Sequence, residues 1–349
     1  MVGETGTFER ESERDPLTWV RITGELRVVV PDNLDLMTCY VLREQEDWFE
    51  SETGFIRRLL RPGMQVVDIG ANYGVYTLTA AKWVGETGHL WAFEPSSATA
   101  ACLRRSLELN ALGNVEVVLA GLSERCGQAQ LVVNRNTELS FVSENPLPVE
   151  GGEPVELVSL DQCQRRYQWK GLDFIKMDAE GHESAIIRGG REVLRTHSPL
   201  IMYEIKAGDR VNRDLVGQFQ ELGYDSYRLV PGLNGLVPVL PEEVFDGYQL
   251  NLFCCKPDRA AALVEQGLLL EACVAHTPEP PANDVWQQYF ERLPYSRSLL
   301  DPWRRNCRTT PAPGWERYRE ALNRYVLACS PAETLAHRYA HLHRAHELL

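Results

Sequence analysis

The sequence contains no long uninterrupted apolar stretch, and its N-terminal segment is acidic and polar where a signal peptide would be basic and then apolar. We therefore expect neither a membrane span nor secretion, and we expect a cytoplasmic protein. The nine cysteines include no C-x-x-C pair, and their odd number favours reduced thiols over a disulfide framework.

The sequence also lacks an excess of positive charge. Its 36 basic residues face 49 acidic ones, for a net charge of −13. A protein that binds nucleic acid normally carries the opposite field, so we do not expect nucleic acid as a partner. Hydrophobic residues make up 44% of the chain and charged residues 24%, which is the composition of a folded globular protein.

Changes in composition divide the chain into four predicted segments. These are a flexible leader (1–16), an α/β domain (17–256), a helix followed by a proline-rich linker (257–283) and a helical C-terminal extension (284–349). From Asp284 onward, ten arginines stand against seven acidic residues, so this extension differs in charge from the rest. Its last part predicts two helices that meet at Ser330-Pro331, with the serine as the N-cap of the second helix.

Within the α/β domain, short apolar runs alternate with amphipathic stretches, which indicates a largely parallel sheet covered by helices. A hairpin with its turn at Thr23-Gly24 precedes this pattern. The predicted strands are Gln65–Ile69, His89–Phe93, Val115–Leu119, Leu172–Met177, Leu200–Glu204 and an antiparallel Leu250–Cys255, with Gln130–Val133 and Glu156–Leu160 as extra strands of a rim. The predicted helices are Tyr73–Val84, Ser97–Leu112, Glu183–Arg195 and Arg210–Leu222, with Ser96 or Ser97 as an N-cap of the second.

The most informative segment follows the first of these strands. Asp68 ends a buried run, and Gly70 and Gly74 then lead into a helix, in a place where glycine permits a tight turn and a close approach to a ligand. Glu94 comes at the end of the next strand, where an acid is suited to holding two ribose hydroxyls. Together these positions predict a nucleoside-binding site.

The spacing of the glycines selects the nucleoside. A dinucleotide site needs G-x-G-x-x-G so that backbone amides can hold a pyrophosphate, whereas this loop reads G-x-x-x-G with Asp68 just before it. A carboxylate there would repel phosphate but would suit an ammonium and a sulfonium, which S-adenosylmethionine carries. The alternative is that Asp68 only caps the loop at the end of the strand.

With these residues in place, the sequence resembles the class I S-adenosylmethionine-dependent methyltransferases and, more narrowly, the FkbM family of O-methyltransferases. The most specific block follows the family pattern K-x-D-x-E-G-x-E, kept here as Lys176, Asp178, Glu180, Gly181 and Glu183. The blocks that carry the resemblance are VVDIGANYGVYTL (66–78), AFEP (92–95), GLSERCG (121–127), LDFIKMDAEGHESAIIRGG (172–190), PLIMYEI (199–205) and NLFCCK (251–256).

The resemblance implies a Rossmann-like, mostly parallel sheet with one antiparallel strand, to which this chain adds an N-terminal hairpin and a C-terminal helical extension. It implies S-adenosylmethionine as the cofactor and a hydroxyl of a sugar, glycan or secondary metabolite as the acceptor. It places the cofactor among seven residues, with Glu94 on the ribose and Ser123 near the adenine; the others are Asp68, Gly70, Asn72, Gly74 and Asp178.

A hydroxyl acceptor must lose its proton, and general-base assistance is typically worth about a hundred- to ten-thousandfold in rate. Asp178, Glu180 and His182 follow the fourth predicted strand and should line the same cleft as the glycine loop, so they are the candidate bases. Lys176 is the fourth catalytic candidate, and its alternative is a structural ion pair with Asp178 or Glu204. His182 has the alternative of a polar residue at a helix start.

Asp178 and Glu204 end adjacent predicted strands and are the candidates for a divalent ion such as Mg²⁺. Two other functions stay open at this point. One is a nicotinamide-dependent oxidoreductase on a related sheet, which the missing third glycine disfavours. The other is a cofactor-binding scaffold whose C-terminal helices dock a protein partner or a second copy of the chain.

Overall fold

The computed structural model describes residues 5–7, 16–132, 141–143, 152–207, 210–240, 249–270, 285–293 and 314–349, with 243, 245, 279, 296 and 298 as isolated positions. The chain forms two compact units, one of residues 1–229 with 239–261 and the other of residues 230–238 with 262–349. None of the seven cysteines that the structure describes forms a disulfide. In these same ranges, no helix is both long and apolar enough to cross a membrane.

The strands in chain order are β1 (Thr5–Thr7), β2 (Leu17–Ile22), β3 (Leu26–Pro31), β4 (Gln65–Ile69), β5 (His89–Phe93), β6 (Val115–Val118), β7 (Gly121–Leu122), β8 (Gly127–Val132), β9 (Phe141–Ser143), β10 (Glu153–Val158), β11 (Phe174–Met177), β12 (Leu200–Glu204), β13 (Lys206–Ala207), β14 (Arg210–Val211), β15 (Asp225–Val230), β16 (Gly235–Pro238) and β17 (Asn251–Cys255). The helices are α1 (Met37–Gln45), α2 (Glu52–Leu59), α3 (Val75–Val84), α4 (Ser97–Leu109), α5 (Leu160–Tyr167), α6 (Glu183–Gly189), α7 (Arg191–Thr196), α8 (Asp214–Gln220), α9 (Pro257–Glu265), α10 (Val285–Glu291), α11 (Trp315–Ala328) and α12 (Leu335–Leu348).

Seven strands of the first unit lie side by side in the order β15-β17-β12-β11-β4-β5-β6. The pairs from β12 to β6 are parallel, and β17 runs antiparallel to both of its neighbours in this row. The central strands are buried along most of their length, which is why they read as continuous apolar runs. The predicted Rossmann-like sheet with one antiparallel strand is confirmed for this unit.

The connections reverse direction beside β4. From β4 the chain moves outward through β5 to β6, and it then returns to place β11 on the other side of β4. In an open sheet of this kind, the loops that leave the carboxyl ends of the two strands at such a switch point diverge and leave a crevice. The crevice therefore opens between the loop that follows Ile69 and the loop that follows Met177.

The N-terminal hairpin packs on the back of α4. Strands β2 and β3 pair in register, as predicted, and Val28, Val29 and Val30 are fully buried. The backbone N–H of Val29 donates to Ser106 Oγ at 2.8 Å, and a side-chain amide of α4, Asn110, accepts from Arg27 N at 2.8 Å. Part of the predicted leader is also ordered, because β1 pairs antiparallel with β2.

Two helix predictions of the α/β domain differ most from the structure. The stretch 183–195 is two helices, because Gly189 and Gly190 let the chain pack closely: a Cβ at Gly190 would lie 2.7 Å from the side chain of Leu160. The predicted helix at 210–222 begins only at Asp214, because β13 and β14 form a hairpin that uses residues 210 and 211.

The sequence also failed to predict α5 and β15. The predicted rim strands exist as β8 and β10, which join β7 and β9 in a separate four-stranded sheet. This sheet, together with α5, occupies the region that was predicted as a rim.

Where the structure describes it, the second unit consists mainly of helices, with β16 as its one named strand. Helices α11 and α12 pack on each other, and Asn323 Oδ1 caps the start of α10 by accepting from Val285 N and Trp286 N. The Ser330 N-cap prediction is wrong: the helix starts at Leu335, and Thr334 caps it by accepting from His337 N at 3.2 Å. The predicted linker falls mostly outside the described residues.

Candidate active site

A cleft with about 740 Å³ of empty volume, its open mouth included, lies at the switch point. The loops after β4, β5 and β11 meet there, and the rim sheet contributes one wall. The lining residues are Ile69, Gly70, Asn72, Phe93, Glu94, Pro95, Ser96, Thr99, Ala120, Gly121, Leu122, Leu131, Asp178, Ala179, Glu180 and His182. The structure thus brings Gly70, Asn72, Glu94, Asp178, Glu180 and His182 into one cleft, as the sequence predicted.

The glycine loop is held tightly on both sides. The backbone N–H groups of Gly70 and Ala71 both donate to Phe93 O at 3.0 Å, and Gly70 has a left-handed φ of 73°. A Cβ at Gly70 would lie 1.8 Å from Asp178 O, so no other residue fits there without moving the end of β11. Asn72 also has a positive φ, of 49°, and its Oδ1 accepts from Tyr73 N at 2.8 Å.

Glu94 is the buried acid of the cleft. Its Oε2 accepts from Asn72 N at 2.8 Å and its Oε1 accepts from Ser96 N at 2.9 Å, so each oxygen is oriented by one backbone amide. Burial raises the pKa of Glu94 to about 7, although these two hydrogen bonds favour the charged form. Each carboxylate oxygen keeps a further lone pair that can accept from a ligand hydroxyl.

Lys176 lies behind the cleft wall and connects its parts. Its Nζ donates to Gly70 O at 2.8 Å and lies 3.2 Å from Asp178 Oδ2 and 3.5 Å from Asp68 Oδ1. Burial alone would lower the pKa of the Lys176 ammonium, but the two carboxylates outweigh it and raise that pKa above its usual value. The ion pair predicted as the alternative role therefore exists with Asp178 and Asp68, and Glu204 is not one of its partners.

The loop after β11 is shaped by its own backbone and by one acid. Glu180 and Gly181 have φ values of 50° and 96°, and Glu183 Oε1 accepts from Ala179 N at 2.9 Å and Gly181 N at 3.3 Å. Glu183 is buried and acts as the cap of this turn. Asp178 faces the cleft with a side chain that is 37% exposed.

Glu204 lies close to Asp178. Burial raises the pKa of Glu204 to about 10, and the charges of Asp178, Glu180 and Glu183 add to this shift. This shift favours the protonated form of Glu204. Among the residues that the structure describes, no group of three or more His, Cys, Asp or Glu side chains could hold a metal ion.

Three predicted cofactor residues lie near the cleft but do not line it. Asp68 is buried and accepts from Thr77 Oγ1 at 2.6 Å, and Gly74 starts α3, where a Cβ would lie 2.3 Å from Leu103. Ser123 is 2% exposed, and its backbone N–H donates to Val158 O. Gly121 and Leu122, just before it, form the wall instead.

Four polar residues that the sequence analysis missed lie on the Asp178 side. Tyr76 donates its hydroxyl to Glu50 Oε2, and Asn251 Nδ2 donates to the same oxygen at 3.2 Å. Burial raises the pKa of Glu50. The pKa of Glu52 is raised to about 7 by its own burial and by the neighbouring charge of Glu50. No sequence signal pointed to them, because they come from α3, β17, the start of α2 and the segment before it.

Comparison with known protein families gives a match for the part of the chain that holds this cleft. Residues 68–226 match the model of the methyltransferase FkbM domain. No curated protein sequence matches the chain.

Several solved structures are similar to parts of the chain. Methyltransferase FkbM from Methylobacillus flagellatus KT is 16% identical, with 58% of this chain and 50% of that chain covered and a TM-score of 0.38. A SAM-dependent O-methyltransferase from Thermotoga maritima is 15% identical, with coverages of 68% and 77% and a TM-score of 0.36. An rRNA methylase from Streptococcus thermophilus is 11% identical, with coverages of 59% and 93% and a TM-score of 0.34.

The sheet order, the glycine loop after β4 and the acid after β5 are those of the class I S-adenosylmethionine-dependent methyltransferase fold. Within that class, the match of residues 68–226, somewhat under half of the chain, is to the methyltransferase FkbM domain.

Proposed function

We propose that the protein is an O-methyltransferase that transfers a methyl group to a hydroxyl of a sugar, glycan or secondary metabolite. The observation that carries this proposal is the Asp178 carboxylate. It lies half exposed in the wall of the cleft, next to the glycine loop, and an ammonium fixes its orientation. A carboxylate in this place can take a proton from a neutral hydroxyl.

The residues of the cleft fit S-adenosylmethionine. Glu94 would accept from the two ribose hydroxyls, and the cleft-lining backbone of Gly70 and Asn72 would hold the methionine end. Leu122 and Leu131 offer apolar surface to a purine. When bound, the cofactor supplies a methyl group that its sulfonium already activates toward attack.

The role of the chain is then to orient the acceptor and remove its proton. We assign Asp178 as the base: it takes the hydroxyl proton as the oxygen–carbon bond forms and the carbon–sulfur bond breaks. The raised pKa values of Glu204 and Lys176 favour their protonated forms, which makes Asp178 the better candidate to accept this proton. Glu180 and His182 line the same wall and are the other candidates.

Asp178 and Glu204 stay the candidate pair for a divalent ion, which would lower the pKa of a bound hydroxyl. Isothermal titration of the protein with MgCl₂, repeated with Glu204→Gln, tests this role. Heat of binding that disappears in the variant would support the metal, and no heat with the wild type would remove it.

We further propose that α11 and α12 contact a protein partner or a second copy of the chain, because this segment carries net positive charge on an acidic protein. Light scattering of the full chain at low and high salt tests self-association. A salt-sensitive dimer supports it, and a monomer under both conditions contradicts it.

The central experiment separates the candidate functions. The purified protein is titrated with S-adenosylmethionine and with NADH, and is then incubated with methyl-labelled cofactor and a panel of sugars, glycans and polyketides. We expect binding of the first cofactor only, label in a hydroxyl-bearing acceptor, and a loss of about 10²–10⁴ in rate for Asp178→Asn. Asp225→Asn, an exposed acid away from the cleft, is the matched control.

Binding of NADH alone would favour the oxidoreductase. Cofactor binding without turnover of any acceptor, together with a specific protein partner, would favour the scaffold. Unchanged transfer by Asp178→Asn would move the base to Glu180 or His182.

A further inference from the structure

One chain of contacts reaches the cleft from parts of the protein outside the matched family domain. It starts at Glu50, before α2, and passes through Tyr76, on the first turn of α3, to Lys176 in β11. Glu50 precedes the family match, and Asn251, which also donates to Glu50, follows it. The contacts therefore link separate segments of the chain to the cleft.

The first link fixes a ring. Tyr76 is 8% exposed, and its hydroxyl donates to Glu50 Oε2, which Asn251 Nδ2 also contacts at 3.2 Å. A tyrosine ring whose hydroxyl is held at one end and whose backbone belongs to a helix has little freedom to rotate or tilt. The Glu50 carboxylate thus sets the orientation of the Tyr76 ring.

The second link passes from the ring to an ammonium. Lys176 Nζ lies 5.4 Å from the centroid of the Tyr76 ring, within the distance at which a cation is attracted to an aromatic face. Only about 5% of the lysine side chain is exposed, so water screens this attraction little. The ring therefore helps to decide where the ammonium lies.

The third link passes from the ammonium to the cleft. Lys176 Nζ donates to Gly70 O at 2.8 Å and pairs with Asp178 at 3.2 Å. One acceptor belongs to the loop after β4 and the other to the loop after β11, and these two loops form opposite sides of the crevice. This one nitrogen therefore contacts both loops and helps to set the orientation of the Gly70 carbonyl and of the Asp178 carboxylate.

We infer that Tyr76, oriented by Glu50, is a positioning residue that acts through Lys176 on the glycine loop and on the Asp178 carboxylate. Neither Tyr76 nor Glu50 lines the cleft, so the effect on a ligand is indirect. The inference rests on the proposed cofactor site, because binding of S-adenosylmethionine is the property that it predicts will change.

The test measures the Kd of S-adenosylmethionine and of S-adenosylhomocysteine by isothermal titration, and the Tm of each variant without ligand. Tyr76→Phe keeps the ring and removes the bond to Glu50. We expect it to raise both Kd values about three- to tenfold. Glu50→Gln keeps an oxygen that can accept from Tyr76, so we expect its Kd values to stay within about twofold of those of the wild type. Glu50→Ala should raise the Kd values as much as Tyr76→Phe does.

A matched control separates positioning from general loss of stability. Tyr203 is a fully buried tyrosine of β12 whose hydroxyl forms a 3.0 Å bond with Ser226 Oγ. Tyr203→Phe removes one buried hydroxyl bond, as Tyr76→Phe does, but Tyr203 has no contact with Lys176 among those described. We expect a similar fall in Tm for both variants and a change in cofactor Kd for Tyr76→Phe alone.

A double-mutant cycle tests the route. If the effect passes through Lys176, Tyr76→Phe will change Kd little in a Lys176→Met background. Equal Kd changes in both backgrounds would overturn the route, and an unchanged Kd for Tyr76→Phe would overturn the inference. If the wild type does not bind S-adenosylmethionine at all, the proposed function fails instead.

Discussion

The two sides of the cleft hold their acids by different means. On one side, backbone N–H groups of Asn72 and Ser96 orient the buried Glu94. On the other side, the Lys176 side chain orients the half-exposed Asp178. Backbone amides are fixed once the loop has folded, whereas a side-chain network depends on every residue in it, so the Asp178 side should be more sensitive to distant substitutions.

The largest effect should come from Gly70, which touches both sides. Gly70→Ala places a methyl group 1.8 Å from Asp178 O at a φ of 73°. We expect a loss of about 4 kcal/mol or more in the free energy of unfolding and no detectable cofactor binding. Urea denaturation and calorimetric titration measure the two.

The control for that experiment is Gly223→Ala. Gly223 has a φ of 82° and no heavy atom within 4 Å of the added Cβ, so it carries the backbone strain without the clash. We expect Gly223→Ala to lower the free energy of unfolding by about 1–2 kcal/mol and to leave cofactor binding unchanged. Equal losses for the two variants would mean that the contact between the two loops is unimportant.

Lys176→Met tests the Asp178 side directly. It removes the partner of two neighbouring carboxylates, one of them buried, and a buried charge left without its partner typically costs about 3–5 kcal/mol. We expect a loss of about 3 kcal/mol in the free energy of unfolding, together with weaker cofactor binding. A loss below about 1 kcal/mol would contradict the view that this ammonium holds the two loops.

Glu94 tests the other side through pH. Its folded pKa of about 7 lies above the ordinary 4.5, so its contribution to stability is present in full below about pH 4.5 and is lost as the pH rises through 7. Ribose hydroxyls that donate to Glu94 favour the carboxylate, so cofactor affinity should rise between pH 6 and 8.

Glu94→Gln should remove this pH dependence and weaken binding by about 1.5–3 kcal/mol, the range for hydrogen bonds to a charged group. Titrations at several pH values, with the wild type and the variant in the same buffers, measure both effects. A variant whose affinity still rises with pH would assign the titration to another group.

The smallest effect should come from Ser96→Ala. The variant loses the N-cap of α4, where Ser96 Oγ accepts from Thr99 N, at a cost of about 1 kcal/mol in stability. The backbone N–H to Glu94 stays in place, so cofactor Kd should change less than twofold. A larger change would show that the Glu94 side also depends on side chains, and the comparison would fail.

The difference between local backbone contacts and contacts of distant side chains also explains how much of the site could be predicted from the sequence. Local patterns predicted the strand ends that carry Gly70, Glu94 and Asp178, because hydrophobic periodicity and turn residues can be recognised within a few neighbouring residues. The expected cleft and its Asp178, Glu180 and His182 wall are present. Their roles in cofactor binding and catalysis stay predictions.

What the sequence could not supply was contact between distant segments. Glu50, Tyr76 and Asn251 meet across up to 201 positions of sequence, and no local spacing predicts such a meeting. For the same reason the Lys176 ion pair with Asp68 was missed, since it depends on the register of β4 against β11. The predicted helix bounds were wrong where glycines or a short hairpin changed the local packing.

The hairpin that packs on α4 determines which N-terminal residues a shortened form of the protein must keep in order to fold. A protein cut to start at Asp68, where the family match begins, would lose the strand that carries the three buried valines. Ser106 and Asn110 would then turn toward solvent with their former partners gone, and an apolar strip of α4 would be bare. We therefore expect that a fragment able to fold by itself must include the hairpin from Leu17 onward, well ahead of the residues that match the family model.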